Sequence, residues 1–269
     1  LNGTSNYILS KMTEEGMDYE SALREAQRLG YAEADPSLDV DGFDAAHKLT
    51  LLASLAFGSW VDFGRVYVEG IRNISPIDIE FAREFGYRIK LLAIAKEDPE
   101  GVQLRVHPTM IPEEHLLARV NGVLNAVYVL GDAIGPLLLY GQGAGSLPTA
   151  SAVISDLSDV VKGRNLLPQF SEGAVKTKEI EELRCVYYLR FSAIDRPGVL
   201  SKISGILGKN DISIASVIQK GRTRKGAVPI VMITHEAVER NIRRALEEID
   251  TLDVIRDSTK FIRAESLKI

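Results

Sequence analysis

A single cysteine in 269 residues leaves Cys185 with nothing to pair with inside the chain. An internal disulfide framework is therefore excluded, and a reducing compartment, the cytoplasm by default, is expected. No apolar run approaches the roughly 20 residues that a bilayer-spanning helix requires, so a membrane is not an expected partner. Basic residues are in deficit, 32 Lys and Arg against 37 Asp and Glu for a net charge of -5. Without a cationic excess to meet a phosphate backbone, nucleic acid is not an expected partner either. The four histidines, His47, His107, His115 and His235, have no metal-ligand spacing, so ordinary packing is expected of them and no metal. The chain opens on Leu1, with no charged n-region or apolar h-region after it. The expectation from that opening is a truncated product without a signal peptide.

What is present is an ordinary globular composition, 45% hydrophobic and 26% charged, long enough for two cores. Apolar periodicity predicts a helical hairpin over Thr4 to Gly30, an acidic loop over Tyr31 to Gly42, and a helix over Phe43 to Phe57. Strands are predicted over Val66 to Ile71, Arg88 to Ala95, Val102 to His107, Ala126 to Leu130 and Pro136 to Tyr140. Helices are predicted near Pro76 to Phe85 and over Ser146 to Val161. Gly163 to Val175, with Pro168, Ser171 and Gly173, has linker composition. After it the order is βαββαβ, with apolar stripes Val199, Ile203, Ile206 and Leu207 on one helix and Val238, Ile242, Ala245, Leu246 and Ile249 on the other. The fold class is α+β, a mixed sheet covered by helices followed by a ferredoxin-like βαββαβ module. The expected boundaries are 1–163, a linker over 164–182, and 183–269.

Chemistry concentrates in the acidic loop, where Glu33, Asp35, Asp39, Asp41 and Asp44 place five carboxylates in twelve residues. Lys48 is the only Lys or Arg between Arg28 and Arg65, and it stands four residues after Asp44, on the same helical face. Such a pair on a solvated face contributes only about 0.3–0.5 kcal/mol. On a helix whose remaining residues are nearly all apolar, burial on most sides is expected, and a charged pair there is costly unless it lines a cleft. Ser37, Asp39, Asp41 and Gly42 fall at the first, third, fifth and sixth places of an EF-hand loop. The twelfth place, which needs a bidentate Glu, is Lys48, so calcium is excluded. A solvated pair or a small-molecule site remains, the latter for a ligand with an amino group for the carboxylates and an oxygen for the lysine.

Gly30-Tyr31-Ala32-Glu33-Ala34-Asp35-Pro36, continuing through Asp39, Gly42, Asp44 and Lys48, resembles the substrate segment of homoserine dehydrogenases. Leu1-Asn2-Gly3-Thr4-Ser5-Asn6-Tyr7-Ile8-Leu9 resembles the segment that follows the dinucleotide domain in that family. The resemblance covers roughly Leu1 to Val161. It implies interconversion of homoserine and aspartate semialdehyde with NAD or NADP as cofactor. It also implies residue roles. Lys48 matches the acid/base lysine at the reacting oxygen, and Asp44 the aspartate that contacts substrate and orients that lysine. Glu33 and Asp39 match acidic substrate-binding residues; Gly3, Thr4 and Tyr31 match pocket-lining positions. The chemistry is compatible: an alcohol releases hydride easily only as its proton leaves, and a positioned base accelerates that step by about 10²–10⁴-fold.

Tyr140-Gly141-Gln142-Gly143-Ala144-Gly145 lies between a strand and a helix, with Ser146 as the expected cap and Pro148 in the first turn. A dinucleotide fingerprint would need glycine at position 146, so this is not a Rossmann motif. Close backbone packing is one reading of Gly143, Ala144 and Gly145. The family resemblance implies the other, a position beside the bound cofactor.

Asp195-Arg196-Pro197-Gly198-Val199-Leu200 and Asn210-Asp211-Ile212-Ser213-Ile214 resemble the ACT domain signature. The strand-to-helix turn at Pro197 and Gly198 leaves helix-terminal N–H groups for a carboxylate. Asp195, Pro197, Gly198, Val199, Asn210 and Ile212 are the expected effector-binding residues, and in this family the resemblance implies threonine bound between paired modules. A module that only pairs in a homodimer is the other reading. For the whole chain the alternative to a dehydrogenase is a non-catalytic amino-acid-binding regulator, against which Lys48 and Asp44 argue. An aspartokinase fusion is disfavoured, because there the ACT segments precede the dehydrogenase.

Overall fold

The computed structural model of the chain describes residues 1–164, 170, 175–220 and 227–266. Two compact units divide it, Leu1–Thr177 and Lys178–Ser266. Most of the stretch with linker composition, including Pro168, Ser171 and Gly173, lies outside the described residues. No helix among the described residues is long and apolar enough to cross a membrane.

In the first unit, Asn2 ends an extended segment and its Oδ1 accepts from the Ser5 amide at 2.8 Å, which starts α1 (Gly3–Glu15). Gly16 ends that helix and Asp18 caps α2 (Tyr19–Arg28), giving the hairpin that the periodicity predicts. Ile8, Leu9, Met12, Ala22, Leu23 and Ala26 are buried in it. The acidic segment, expected as loop, contains a short helix, α3 (Ser37–Val40). Local polar bonds that hydrophobic periodicity does not register hold it: Asp35 Oδ1 accepts from the Ser37 amide at 3.1 Å and its hydroxyl at 2.6 Å.

The fourth helix, α4 (Phe43–Phe57), has the expected bounds but not the expected burial. One face, Ala45, Ala46, Leu49, Ala53 and Ser54, is buried. Leu51, Leu52 and Leu55 are exposed, because no element among the described residues of this unit covers them. The strand expected over Val66 to Ile71 shrinks to β1 (Tyr67–Val68), which pairs in parallel with Arg105 and Val106. The chain turns off the sheet there because Gly70 abuts Val40 and Asp41 and the Ile71 amide bonds the Val40 carbonyl at 2.8 Å. After α5 (Pro76–Glu84), β2 (Tyr87–Asp98) and β3 (Gly101–Pro112) form a long antiparallel hairpin. The inner face of α4 packs on Leu104 and Val106 of β3.

The strands β1 to β3 thus realise the expected mixed sheet, while β4 (Leu124–Gly131) and β5 (Gly135–Gln142), among the described residues, pair only with each other as a separate ribbon. The sixth helix, α6 (Ser146–Val161), matches its predicted bounds and buries no residue at all.

In the second unit β6 (Arg184–Ile194), α7 (Val199–Lys209), β7 (Ile214–Gln219), β8 (Ala227–Thr234), α8 (Glu239–Asp250) and β10 (Ile255–Ala264) realise βαββαβ. All neighbours are antiparallel in the order β10-β6-β8-β7. A two-residue strand, β9 (Ala237–Val238), pairs with the start of β6, where the sequence predicts the first turn of a helix. Val199, Ile203 and Leu207 of α7 and Ile242, Ala245, Leu246 and Ile249 of α8 pack on alternate β6 residues from Cys185 to Ala193. Both helices thus cover one face of the sheet, and Cys185 is a small core residue, as expected.

Candidate active site

The amino ends of α1 and α4 meet through side chains. Lys48 Nζ donates to Asp44 Oδ2 at 2.6 Å and to the Leu1 carbonyl at 3.1 Å. The Asn2 amide donates to the same Asp44 oxygen at 2.8 Å and to Asp39 Oδ1 at 2.6 Å. An unbroken chain, Lys48–Asp44–Asn2–Asp39, therefore joins α4, α1 and α3. The Asp39 carbonyl is held in turn by the Ser5 hydroxyl at 3.0 Å. Lys48 is 48% exposed and Asp44 23%, so the lysine stands at an open rim of a helix for which burial on most sides is expected. The reason is the uncovered outer face of α4.

The other expected residues divide. Thr4 donates to the Tyr31 carbonyl at 2.6 Å, and the Tyr31 ring lies 5.0 Å from that of Tyr7, which ties the acidic segment to α1. Gly3 begins α1 where a Cβ would lie 2.9 Å from the Val123 carbonyl oxygen, so only glycine fits without displacing backbone. Glu33 is exposed, and its carbonyl accepts from Gln27 at 3.0 Å. No bond ties its carboxylate to the Lys48–Asp44 pair.

Gly143, Ala144 and Gly145 form an exposed turn between β5 and α6. A Cβ on Gly143 would meet Asn125 Nδ2 at 2.5 Å, and one on Gly3 would meet the same atom at 3.7 Å. Asn125 therefore sits between the glycine turn and the start of α1, and the two segments are neighbours. Their spacing depends on Lys90, a buried residue of β2. Its Nζ donates to the Val120 carbonyl at 2.6 Å, Asn121 Oδ1 at 3.0 Å and Asn6 Oδ1 at 3.1 Å. The Asn6 amide bonds the carbonyls of Val120, Gly122 and Leu124, which fixes the entry to β4 against α1. Burial first, and then the Arg88 charge, lower the Lys90 ammonium to about 8, against a small opposing pull from Glu14.

Asn2, Asn125 and Arg72 are absent from the sequence-derived set. Arg72 pairs with Asp41 and reaches Ser37 Oγ at 3.1 Å, so Asp41 belongs to the clamp on α3 and not to the carboxylates facing Lys48. Of the three only Asn2 carries a local signal, an N-cap residue directly before a helix.

In the second unit the Asp195 to Gly198 turn is exposed, while Val199 and Ile212 are core residues. The Asn210 amide back-bonds the Ile206 carbonyl at 2.9 Å. The expected effector residues stand at opposite ends of α7, eleven residues long and therefore roughly 16 Å at about 1.5 Å per residue. One free amino acid, roughly 6 Å long by ordinary bond lengths, does not span them within one chain.

The homoserine dehydrogenase family profile matches residues 1–158 and the ACT domain profile residues 187–254. A homoserine dehydrogenase of Helicobacter pylori is 47% identical over 99% of this chain and 64% of its own length. One of Neisseria gonorrhoeae is 45% identical over the same shares. The crystal structure of a homoserine dehydrogenase from Thiobacillus denitrificans is 46% identical and superposes with a TM-score of 0.91, over 99% of this chain and 63% of that one. The chain thus spans just under two thirds of the length of these relatives. With that match over the first unit and an ACT match over the second, the chain belongs to the homoserine dehydrogenase family and carries an ACT domain.

Proposed function

We propose that this chain supplies the substrate-binding and regulatory parts of an NAD(P)-dependent enzyme interconverting homoserine and aspartate semialdehyde. The observation that carries the reading is the Lys48–Asp44–Asn2–Asp39 chain. Two of the three N–H bonds of the Lys48 ammonium are engaged, by Asp44 and the Leu1 carbonyl, which leaves one for a reacting oxygen. In semialdehyde reduction Lys48 gives its proton to the carbonyl oxygen as that oxygen gains charge; in homoserine oxidation the neutral amine takes the hydroxyl proton. Asp44 orients the lysine and, with Asp39 and Glu33, receives the substrate ammonium. Gly3, Thr4 and Tyr31 shape the pocket between α1 and the acidic segment.

The nicotinamide ring of NAD or NADP, when bound, supplies hydride transfer. The residues here fit such a ring at one edge: Gly143 is kept free of a side chain by Asn125, and Gly143-Ala144-Gly145 is exposed beside the start of α1. Leu51 and Leu55 on α4 and Leu147, Ile154 and Val161 on α6 are exposed large apolar side chains of the kind that association covers, which supports a homodimer. Pairing of ACT modules would set the Asp195 to Val199 turn of one copy against Asn210 and Ile212 of the other, a site for a feedback amino acid, threonine in our reading. Cys185, the single cysteine and a buried one, suits the cytoplasm.

Homoserine-dependent reduction of NAD(P) tests the reading, with the sequence extended to the full length of its relatives. Lys48→Ala should lower turnover by about 10²–10⁴-fold. Undiminished turnover in that variant would refute the proton-transfer role, and a parent without homoserine-dependent turnover would instead favour a non-catalytic amino-acid-binding regulator. Calorimetry should show heat on adding threonine; silence with threonine and heat with another amino acid would reassign the effector.

A further inference from the structure

Asn2 stands in the middle of the Lys48–Asp44–Asn2–Asp39 chain, and the reaction described above assigns it no step. It is 7% exposed, and its three polar bonds use both ends of the amide. Oδ1 accepts from the Ser5 amide, so it caps α1. That bond fixes which end is which: a flipped amide would set its oxygen against two carboxylates and its NH₂ against a backbone N–H. The NH₂ group is therefore directed at Asp39 and Asp44, one N–H for each. An amide carries only two such hydrogens, and both are spent on site carboxylates from different helices.

We infer that Asn2 is a positioning residue that sets the separation and orientation of Asp39 and Asp44. This rests on the active-site reading above. The neutral amide lets two anions approach one point without direct contact, and it takes one oxygen from each. The remaining oxygen of each carboxylate is left for the ligand's ammonium, and Asp44 is held where it can orient Lys48. Asn2 therefore couples substrate binding, through Asp39, to proton transfer, through Asp44 and Lys48. A residue that merely capped α1 would do neither.

Two substitutions separate these roles, because Asp and Ser cap helices about as well as Asn but neither can donate to both carboxylates. In the sequence at the full length of its relatives, Asn2→Ser should keep the melting temperature, whereas Asn2→Asp, which sets a third carboxylate against Asp39 and Asp44, should lower it. Both should lose about 10²-fold in kcat/KM for homoserine, the loss shared between a raised KM and a lowered kcat. Lys48→Ala, measured alongside, should lower kcat alone. Wild-type kinetics in both Asn2 variants with an inactive Lys48→Ala would show that Asn2 only caps, and would overturn the proposal. A loss in Asn2→Ser accompanied by a clear fall in its melting temperature would assign Asn2 to folding, with the same consequence. An active Lys48→Ala would remove the site reading and this proposal with it.

Discussion

Replacing Glu239 by Gln tests how the second unit is held together. The Glu239 side chain is fully buried, and its oxygens accept from Arg263 Nε and Nη2, both at 2.6 Å, and from Arg243 Nε at 2.9 Å. The Tyr187 hydroxyl lies at 3.3 Å from the same carboxylate. Arg263 is 1% exposed, so this is an ion pair out of water. Removing one partner of such a pair costs about 3–5 kcal/mol, whereas replacing both by apolar groups is often neutral. For a domain of this size about 1 kcal/mol moves the midpoint by about 4–8 °C, so Glu239→Gln should lower the melting temperature of the ACT unit by at least about 12 °C. Glu239→Leu combined with Arg263→Met should recover most of that.

Burial works against the charged form of Glu239, but the two guanidinium groups outweigh it and hold the carboxyl below its ordinary range. A carboxyl lowered in the folded state stabilises above the unfolded value of about 4.3 and loses that contribution as pH falls through the folded value. Wild type and variant should therefore converge in acid. The only tryptophan, Trp60, lies in the first unit, so its fluorescence follows that unit while calorimetry follows both. A variant melting within about 1 kcal/mol of wild type at neutral pH, or a gap unchanged in acid, would refute the reasoning.

Lys90→Met should destabilise the first unit by about 1–3 kcal/mol at neutral pH, since three acceptors lose their donor. Because the folded Lys90 titrates near 8 and an unfolded lysine near 10.4, the folded state carries fewer protons between them, and wild-type stability should rise with pH across that window. The gain relative to Lys90→Met should approach about 3 kcal/mol at most. Urea unfolding at neutral pH and above pH 9 measures it, and parallel curves for the two proteins would contradict the burial of a charged Lys90.

Local pattern made much of this fold readable. The bounds of α4 and α6 follow from uninterrupted helical periodicity between glycine and proline signals, and the second unit from two apolar stripes and alternating strands. What stayed hidden depends on partners distant in sequence. Hydrophobicity marks Leu51, Leu55 and Ile154 as residues to be covered, but it does not say by what, so burial of α4 was overstated. The strand β9 replaces the first turn of α8 because Ala237 and Val238 pair with β6, over fifty residues earlier, a contact that no local propensity encodes.

The candidate site divides the same way. Asp44 and Lys48 are legible because four residues on a helix place them on one face. Asn2 meets its carboxylates 37 and 42 residues away, and Arg72 meets Asp41 from 31 residues away, so nothing in their immediate sequence marks either bond. Family resemblance groups Glu33 with the pair, while in the fold its carbonyl is tied to Gln27.

Proton transfer at Lys48 Nζ is most directly tested by restoring it from solution. In Lys48→Ala, made in the sequence at the full length of its relatives, added small primary amines should revive homoserine oxidation. The rate should rise with amine concentration and with amine basicity. A variant indifferent to every amine, or one that needs none to turn over like the parent, would contradict a proton held and moved at that nitrogen.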